Sequence, residues 1–291
     1  MSIYKRSDLS FKFLSKVHGL IYVVSERLTK KIPKDVTLRK YINQSLGWFG
    51  GSMEDLGNEI KLNFSLDKVP FVIFLRKDSS DANVFIQCIL NREYDIVASM
   101  AKSLSNKPLR IIDGGANIGV AAIHFNCALN RNCEIVCIEP LDANADHLEK
   151  IMAANNYTNI SVIRKGLWNK MTHLRPKTMH HPGMEWAFTL EETDKPDESV
   201  ITVTTIKGIM TEKGWTGIDV LKMDIEGAEA VIFNDDECLA SFLPKTKIIT
   251  IEVHADFISR DKVRSKLQTA GFAVFETGEH VVGVNTKLVE D

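Results

Sequence analysis

Leu109-Arg-Ile-Ile-Asp-Gly-Gly-Ala-Asn-Ile-Gly119 is the stretch whose reading decides the fold. Leu109, Ile111 and Ile112 make the short apolar run that a parallel strand shows when both of its faces are covered. Asp113 falls at the tip of that strand. Gly114 and Gly115 follow, and without a Cβ they allow a tight turn and a close backbone approach to a ligand. Gly119 lies one turn into the next helix, where a missing side chain lets helix and strand pack closely. The turn Asp113, Gly114, Gly115, Ala116, Asn117, Gly119 is thus expected to aim a carboxylate and free helix-start N–H groups into one crevice. Dinucleotide sites use G-x-G-x-x-G to admit a pyrophosphate, whereas the spacing here is D-x-G-x-x-x-G, and Asp113 would repel phosphates. An amino-acid ligand fits better, with its ammonium on Asp113 and its carboxylate on the turn N–H groups. S-adenosylmethionine carries both groups. The structural alternative is a strand–helix turn with a capping Asp.

Downstream of this stretch, strands and helices alternate. A helix is expected from about Ile118 to Leu129, then a strand Glu134–Ile138 ending in Glu139-Pro140. A helix beginning at Asp142 and a third strand Ile160–Ile163 follow. Residues 170–198 lack periodicity and read as loop, or as a small hairpin around Glu185–Leu190. Val200–Val203 is a short strand, Thr205–Lys213 a helix, and Asp219–Met223 a fourth core strand ending in Asp224-Ile-Glu-Gly-Ala-Glu229. Residues 229–243 read as one helix, and Lys247–Val253 as a fifth strand ending in His254. Ser259 caps a helix that Gly271 stops, and Phe272–Phe275 with Val281–Val284 makes a closing hairpin. The alternation predicts a doubly wound, mostly parallel α/β sheet with an antiparallel pair at one edge.

Upstream, residues 9–28 have the apolar spacing of an amphipathic helix with a basic polar face, and a second helix is expected near Thr37–Ser45. Residues 46–65, with Gly47, Gly50, Gly51 and Gly57, read as loop; Phe71–Leu75 reads as strand, and Val84–Leu90 and Glu93–Ser103 as helical. Residues 1–105 form the N-terminal cap region and 106–291 the ligand-binding domain. A net charge of −2 hides an asymmetry. Residues 1–42 hold ten Lys or Arg against Asp8, Glu26 and Asp35, a net +7, so the remainder carries −9. An acidic body argues against nucleic acid as substrate. The basic segment suits a membrane surface, or packing on the body or on a partner. The five cysteines form no C-x-x-C pair, and they read as reduced core residues of a cytoplasmic protein. Oligomeric state is not legible.

Four strand tips carry ionisable groups: Asp113, Glu139, Asp224 and the pair Glu252/His254. Ligands in such sheets bind at the carboxyl ends of strands, and buried carboxylates need partners, so this convergence marks a site. Glu139, with Pro140 beside it, is placed to accept the ribose hydroxyls. No acid follows the third strand, so adenine contact falls to backbone near Gly166 and Leu167, with Trp168 either an apolar wall or core. Glu226 is either an acceptor contact or a first-turn charge on the helix dipole. Glu252 and His254, two apart on a strand, share a face. His254 is the expected general base, with Asp224 or Glu252 orienting it. The same groups offer ligands for a hard divalent ion, although no ligand set is complete by spacing, and no metal is assigned. His180-His181 reads as a loop pair.

These residues resemble a known family. IIDGGANIG (111–119), CIEP (137–140), VTTIKGI (203–209), DVLKMDIEGAE (219–229) and IEVH (251–254) are similar to the FkbM family of S-adenosylmethionine-dependent methyltransferases, with Gly114 where the family more often has Val. The resemblance runs from about Val84 to Gly283. It implies a seven-stranded, Rossmann-like class I methyltransferase fold. It also implies methyl transfer, mostly to oxygen, onto sugar hydroxyls of glycans or hydroxyls of natural products. Asp113, Gly115, Asn117 and Glu139 become cofactor contacts by this resemblance, and Asp224, Glu226, Glu252 and His254 line the acceptor side. A catalytically idle scaffold of the same fold, docked through its basic helix, is the alternative.

Overall fold

The computed structural model describes residues 42–46, 50–105, 107–177, 189–193 and 200–289. The helix expected at 9–28 and His180-His181 lie outside these residues; of the second expected helix, residues 42–45 are described, and they are helical together with Leu46. The chain divides into two compact units, one comprising residues up to Asp95 together with Ile123–Asn130, the other Ile96–Ala122 and Arg131 onward.

In the first unit, β1 (Ser52–Asp55), β2 (Glu59–Leu66) and β3 (Val69–Arg76) form an antiparallel sheet in that order. This corrects the expected loop at 46–65. Ile60, Leu62, Phe64 and Leu66 are buried in strict alternation, the period of a half-covered strand. Gly50, Gly51 and Gly57 flank these strands instead of interrupting them. Buried Asp81 ties the end of β3 to the following helix Asp81–Phe85: it accepts from Arg76 N at 2.9 Å and from Arg76 Nη2 at 2.8 Å.

The second unit holds a seven-stranded sheet in the order β13-β14-β12-β11-β4-β5-β6. Its strands are β4 (Leu109–Gly114), β5 (Cys133–Ile138), β6 (Ile160–Ile163), β11 (Ile218–Met223), β12 (Thr246–Glu252), β13 (Phe272–Thr277) and β14 (His280–Asn285). All neighbours pair in parallel except β14, which runs antiparallel to both β12 and β13. This is the doubly wound, mostly parallel, Rossmann-like sheet that the alternation predicts, with its antiparallel pair at one edge. Helices cover both faces, so Ile111, Ile112, Ile135, Val136, Val220, Leu221, Ile248 and Ile249 are all fully buried. Each such side chain contributes about 1.5–3 kcal/mol relative to an exposed one. Strand order reverses at β4, with β5 and β6 on one side and β11 and β12 on the other. The crevice of such a sheet opens at the carboxyl ends of β4 and its neighbours.

A smaller sheet has the order β7-β10-β8-β9, from β7 (Gly166–Leu167), β8 (His173–Lys177), β9 (Thr189–Glu192) and β10 (Ile201–Thr204). The hairpin expected around Glu185–Leu190 is in part β9 pairing with β8, and residues 178–188 lie outside the described ones. The single helix expected at 229–243 is two, Ala228–Phe233 and Asp236–Phe242, because Asp235 leaves the helix and caps the second by accepting from Cys238 N. All five cysteines are buried. Among the described residues no helix is long and apolar enough to cross a membrane.

Candidate active site

The turn after β4 begins one residue later than expected, since Gly114 is still strand, opposite Met223 of β11 and Ile138 of β5. Gly115 has φ +72°, and a Cβ there would stand 1.7 Å from the Asp224 carbonyl oxygen. The backbone of the next turn therefore occupies the space a side chain would need. Asn117 follows at φ +50°, a conformation Asn tolerates better than most residues. The N–H groups are not free as expected. Gly115 and Ala116 both donate to the Ile138 carbonyl at 3.0 Å, Asn117 donates to Glu139 Oε2 at 2.9 Å, and Gly119 donates to Ala116 O at 2.8 Å. The turn closes on the end of β5 because β4 and β5 are neighbours in register.

Asp113 also departs from expectation. It is 0% exposed and faces Lys222 Nζ at 3.1 Å, so an ammonium of the chain itself holds the position foreseen for the ligand's. Burial raises the Asp113 pKa above its ordinary value and Lys222 pulls it back. Glu139 is buried too. Its carboxylate accepts from Asn117 N, from Leu141 N at 3.0 Å and from Asn144 Nδ2 at 3.3 Å, and burial raises its pKa against those bonds. An ionised carboxylate offers roughly four lone-pair directions, so one remains for a ligand hydroxyl. Gly115 and Asn117 are the partly exposed members of the turn, and the Asn117 Oδ1 atom is buried with no hydrogen-bond partner.

The turn after β11 places Glu226 at φ +54° and Gly227 at φ +97°, two left-handed residues in succession. Gly227 is required twice over: a Cβ there would lie 2.6 Å from the Phe257 ring. Glu229, 0% exposed, holds the turn from inside by accepting from Ile225 N and Gly227 N, each at 2.8 Å. Its Oε1 also meets His254 Nδ1 at 3.2 Å, while Glu226 Oε2 meets His254 Nε2 at 3.3 Å. Both ring nitrogens thus face carboxylates. The bonds to Glu226 and Glu229 push the His254 pKa up to about 11 against the opposing effect of burial. An imidazolium has no lone pair to accept a proton, so the expected general base is a cationic clamp instead.

The other candidates separate. Asp224, Glu226 and His254 come together, with one ligand atom from each lying within 4.8 Å of the others. Glu252 is the last residue of β12, opposite His280, and His254 lies beyond the strand. The alternation argument that put Glu252 and His254 on one face ends with the strand, and the orienting carboxylates are Glu226 and Glu229. Trp168 is core, packed with Leu174, Val203 and Ala228. Gly166 and Leu167 pair with β10, and Leu167 reaches the end of β4, 3.0 Å from where a Gly114 Cβ would stand. Pro140 is half-buried beside Glu139. Three residues were missed from the candidate set. Lys222 and Glu229 sit inside the quoted DVLKMDIEGAE string, where a lysine in an apolar strand is itself a signal. His280 gave none. It is buried at the start of β14, with its pKa lowered to about 4 by desolvation against the pull of Asp224.

With this geometry in view, the family model of the methyltransferase FkbM domain matches residues 113–274, more than half of the chain. The chain belongs to the FkbM methyltransferase family. It is thereby an S-adenosylmethionine-dependent methyltransferase, and S-adenosylmethionine is the cofactor the family implies. No curated protein sequence matches the chain. Among solved structures it is similar to a methyltransferase from Geobacter sulfurreducens (14% identity over 90% of this chain and 96% of that one, TM-score 0.41). It is also similar to a SAM-dependent methyltransferase from Agrobacterium tumefaciens (11%, 79% and 70%, TM-score 0.45) and to a putative caffeoyl-CoA O-methyltransferase from Staphylococcus aureus (9%, 91% and 99%, TM-score 0.41). The assignment rests on the family match and on the sheet. The residues at the switch point are of a kind that suits the FkbM cofactor: the Glu139 carboxylate, with three donors on it, keeps an acceptor direction for a hydroxyl, and Asn117 Oδ1 is buried with no hydrogen-bond partner.

Proposed function

We propose that this methyltransferase acts on oxygen, methylating a hydroxyl of a sugar, a glycan or a hydroxylated natural product. The observation that supports this most is the contact of the two turns. Asp224 N donates to Gly114 O at 3.1 Å, so the Asp224 carboxylate, 28% exposed, stands at the rim of the cofactor turn. Glu226 is beside it and 47% exposed. Carboxylates only accept hydrogen bonds, and hydroxyl groups are the donors that match them.

In this reading Glu139, Asn117 and Gly115 hold the cofactor, which supplies an activated methyl group on sulfur. Asp224 takes the hydrogen bond of the acceptor hydroxyl and aligns its oxygen. Bound S-adenosylmethionine would supply the methyl group and depart as adenosylhomocysteine, and Asp224 would take the hydroxyl proton as the acceptor oxygen is methylated. Positioning supplies most of the rate, since the methyl group arrives already activated. His254 keeps Glu226 and Glu229 in place. Phe257, an aromatic 46% exposed and seated against Gly227, forms an apolar wall for the acceptor. The test is to incubate the protein with methyl-labelled S-adenosylmethionine and a panel of glycosides and polyhydroxylated natural products. Methyl ethers with stoichiometric adenosylhomocysteine are expected. Label in amines or carboxyl esters would refute oxygen ether formation, and cofactor binding with no transfer at all would favour the idle scaffold.

A further inference from the structure

We infer that Lys222 is a positioning residue that locks the cofactor turn, and not merely the counter-charge of Asp113. A buried lysine next to the carboxyl end of a parallel core strand is out of place unless something requires it. Lys222 is 3% exposed, and its register partner on β4 is Asp113. Its Nζ donates to Gly115 O at 2.9 Å and to Gly114 O at 3.2 Å, and lies 3.1 Å from Asp113 Oδ1. Two of the three N–H donors of the ammonium thus go to backbone carbonyls, while Asp113 Oδ1, which makes no hydrogen bond, faces it as an ion-pair partner. Asp224 Oδ2 stands at 3.6 Å on the far side.

The two carbonyls are the informative partners. A trans peptide is planar, with its C=O and N–H on opposite sides. The plane joining Gly114 to Gly115 is held by Lys222 at its carbonyl and by Ile138 O at its N–H, and the plane joining Gly115 to Ala116 is held in the same way at both ends. Two successive glycines are the least constrained backbone available, so without these clamps the turn samples many conformations. Lys222 therefore selects the one in which Gly115 faces the crevice, and its nearness to Asp224 joins that turn to the acceptor side.

This inference rests on the turn being the cofactor site. The experiment measures adenosylhomocysteine affinity by calorimetry, together with thermal stability, for the wild type, Lys222→Met and Asp113→Asn/Lys222→Met. The double variant removes both charges and so leaves no unpaired buried carboxylate. Its stability should recover relative to Lys222→Met, while its affinity stays lower than wild type by roughly 10- to 100-fold, the scale of a small misplacement of binding groups. Amide exchange at Gly115 and Ala116 should quicken in both variants. Wild-type affinity in the double variant would overturn the inference, reducing Lys222 to a counter-charge. Should the double variant not fold, Lys222→Met alone decides: a full ligand-induced thermal shift overturns the inference, and a diminished one supports it. A wild type that does not bind adenosylhomocysteine would instead sink the cofactor site itself.

Discussion

The turns at Asp113–Gly119 and Asp224–Glu229 sit at the tips of neighbouring strands and treat their charges in opposite ways. In the first, the acid is fully buried and neutralised by Lys222, and the N–H groups are consumed by the end of β5. In the second, the buried acid Glu229 does the internal work, while Asp224 and Glu226 are left partly exposed. A turn satisfied from within is rigid and presents shape. A turn with spare carboxylates presents chemistry. On the proposed function, the cofactor is constant and needs the former, and a proton-bearing acceptor needs the latter.

The comparison can be broken at its joint. Gly115→Ala forces a Cβ into the Asp224 carbonyl and should cost about 3 kcal/mol or abolish folding, read by denaturant titration; a loss below about 1 kcal/mol would mean that the two turns do not depend on each other's backbone. Asp224→Asn should lower turnover by ~10²-fold while adenosylhomocysteine affinity falls far less, which would separate the two roles. Equal losses in both would place Asp224 on the cofactor side. Glu229→Gln should destabilise the fold by roughly 1–2 kcal/mol, since a neutral amide must serve three donors, and it should release the second turn without loosening the first. Phe257→Ala should raise the acceptor KM by about 10-fold with unchanged cofactor affinity, and Phe257→Trp should retain most of the wild-type value.

A separate prediction concerns pH. The folded pKa of His254, about 11, is raised above the ordinary 6.5. Its contribution to stability is therefore complete below pH 6.5 and is lost as pH rises toward 11. Thermal scans should show this alkaline decline in the wild type and a shallower one in His254→Gln. Parallel curves would show that the imidazolium is not held by Glu226 and Glu229.

The sequence alone determined the sheet and the turns at the tips of its strands. Apolar runs, the D-x-G-x-x-x-G turn and the acid-tipped strands are local patterns, and burial on both faces of a parallel sheet imposes them on the chain. The alternation in β2 was equally local, but flanking glycines obscured it. Only the tertiary structure decided what each charge does. Asp113 and Lys222 are far apart in sequence and meet because β4 and β11 are neighbours in register. His254 is met by Glu226 and Glu229 because two left-handed residues turn the chain toward it. An ionisable side chain is a base, a clamp or a counter-ion according to its partners, and strand order supplies those partners where spacing along the chain does not.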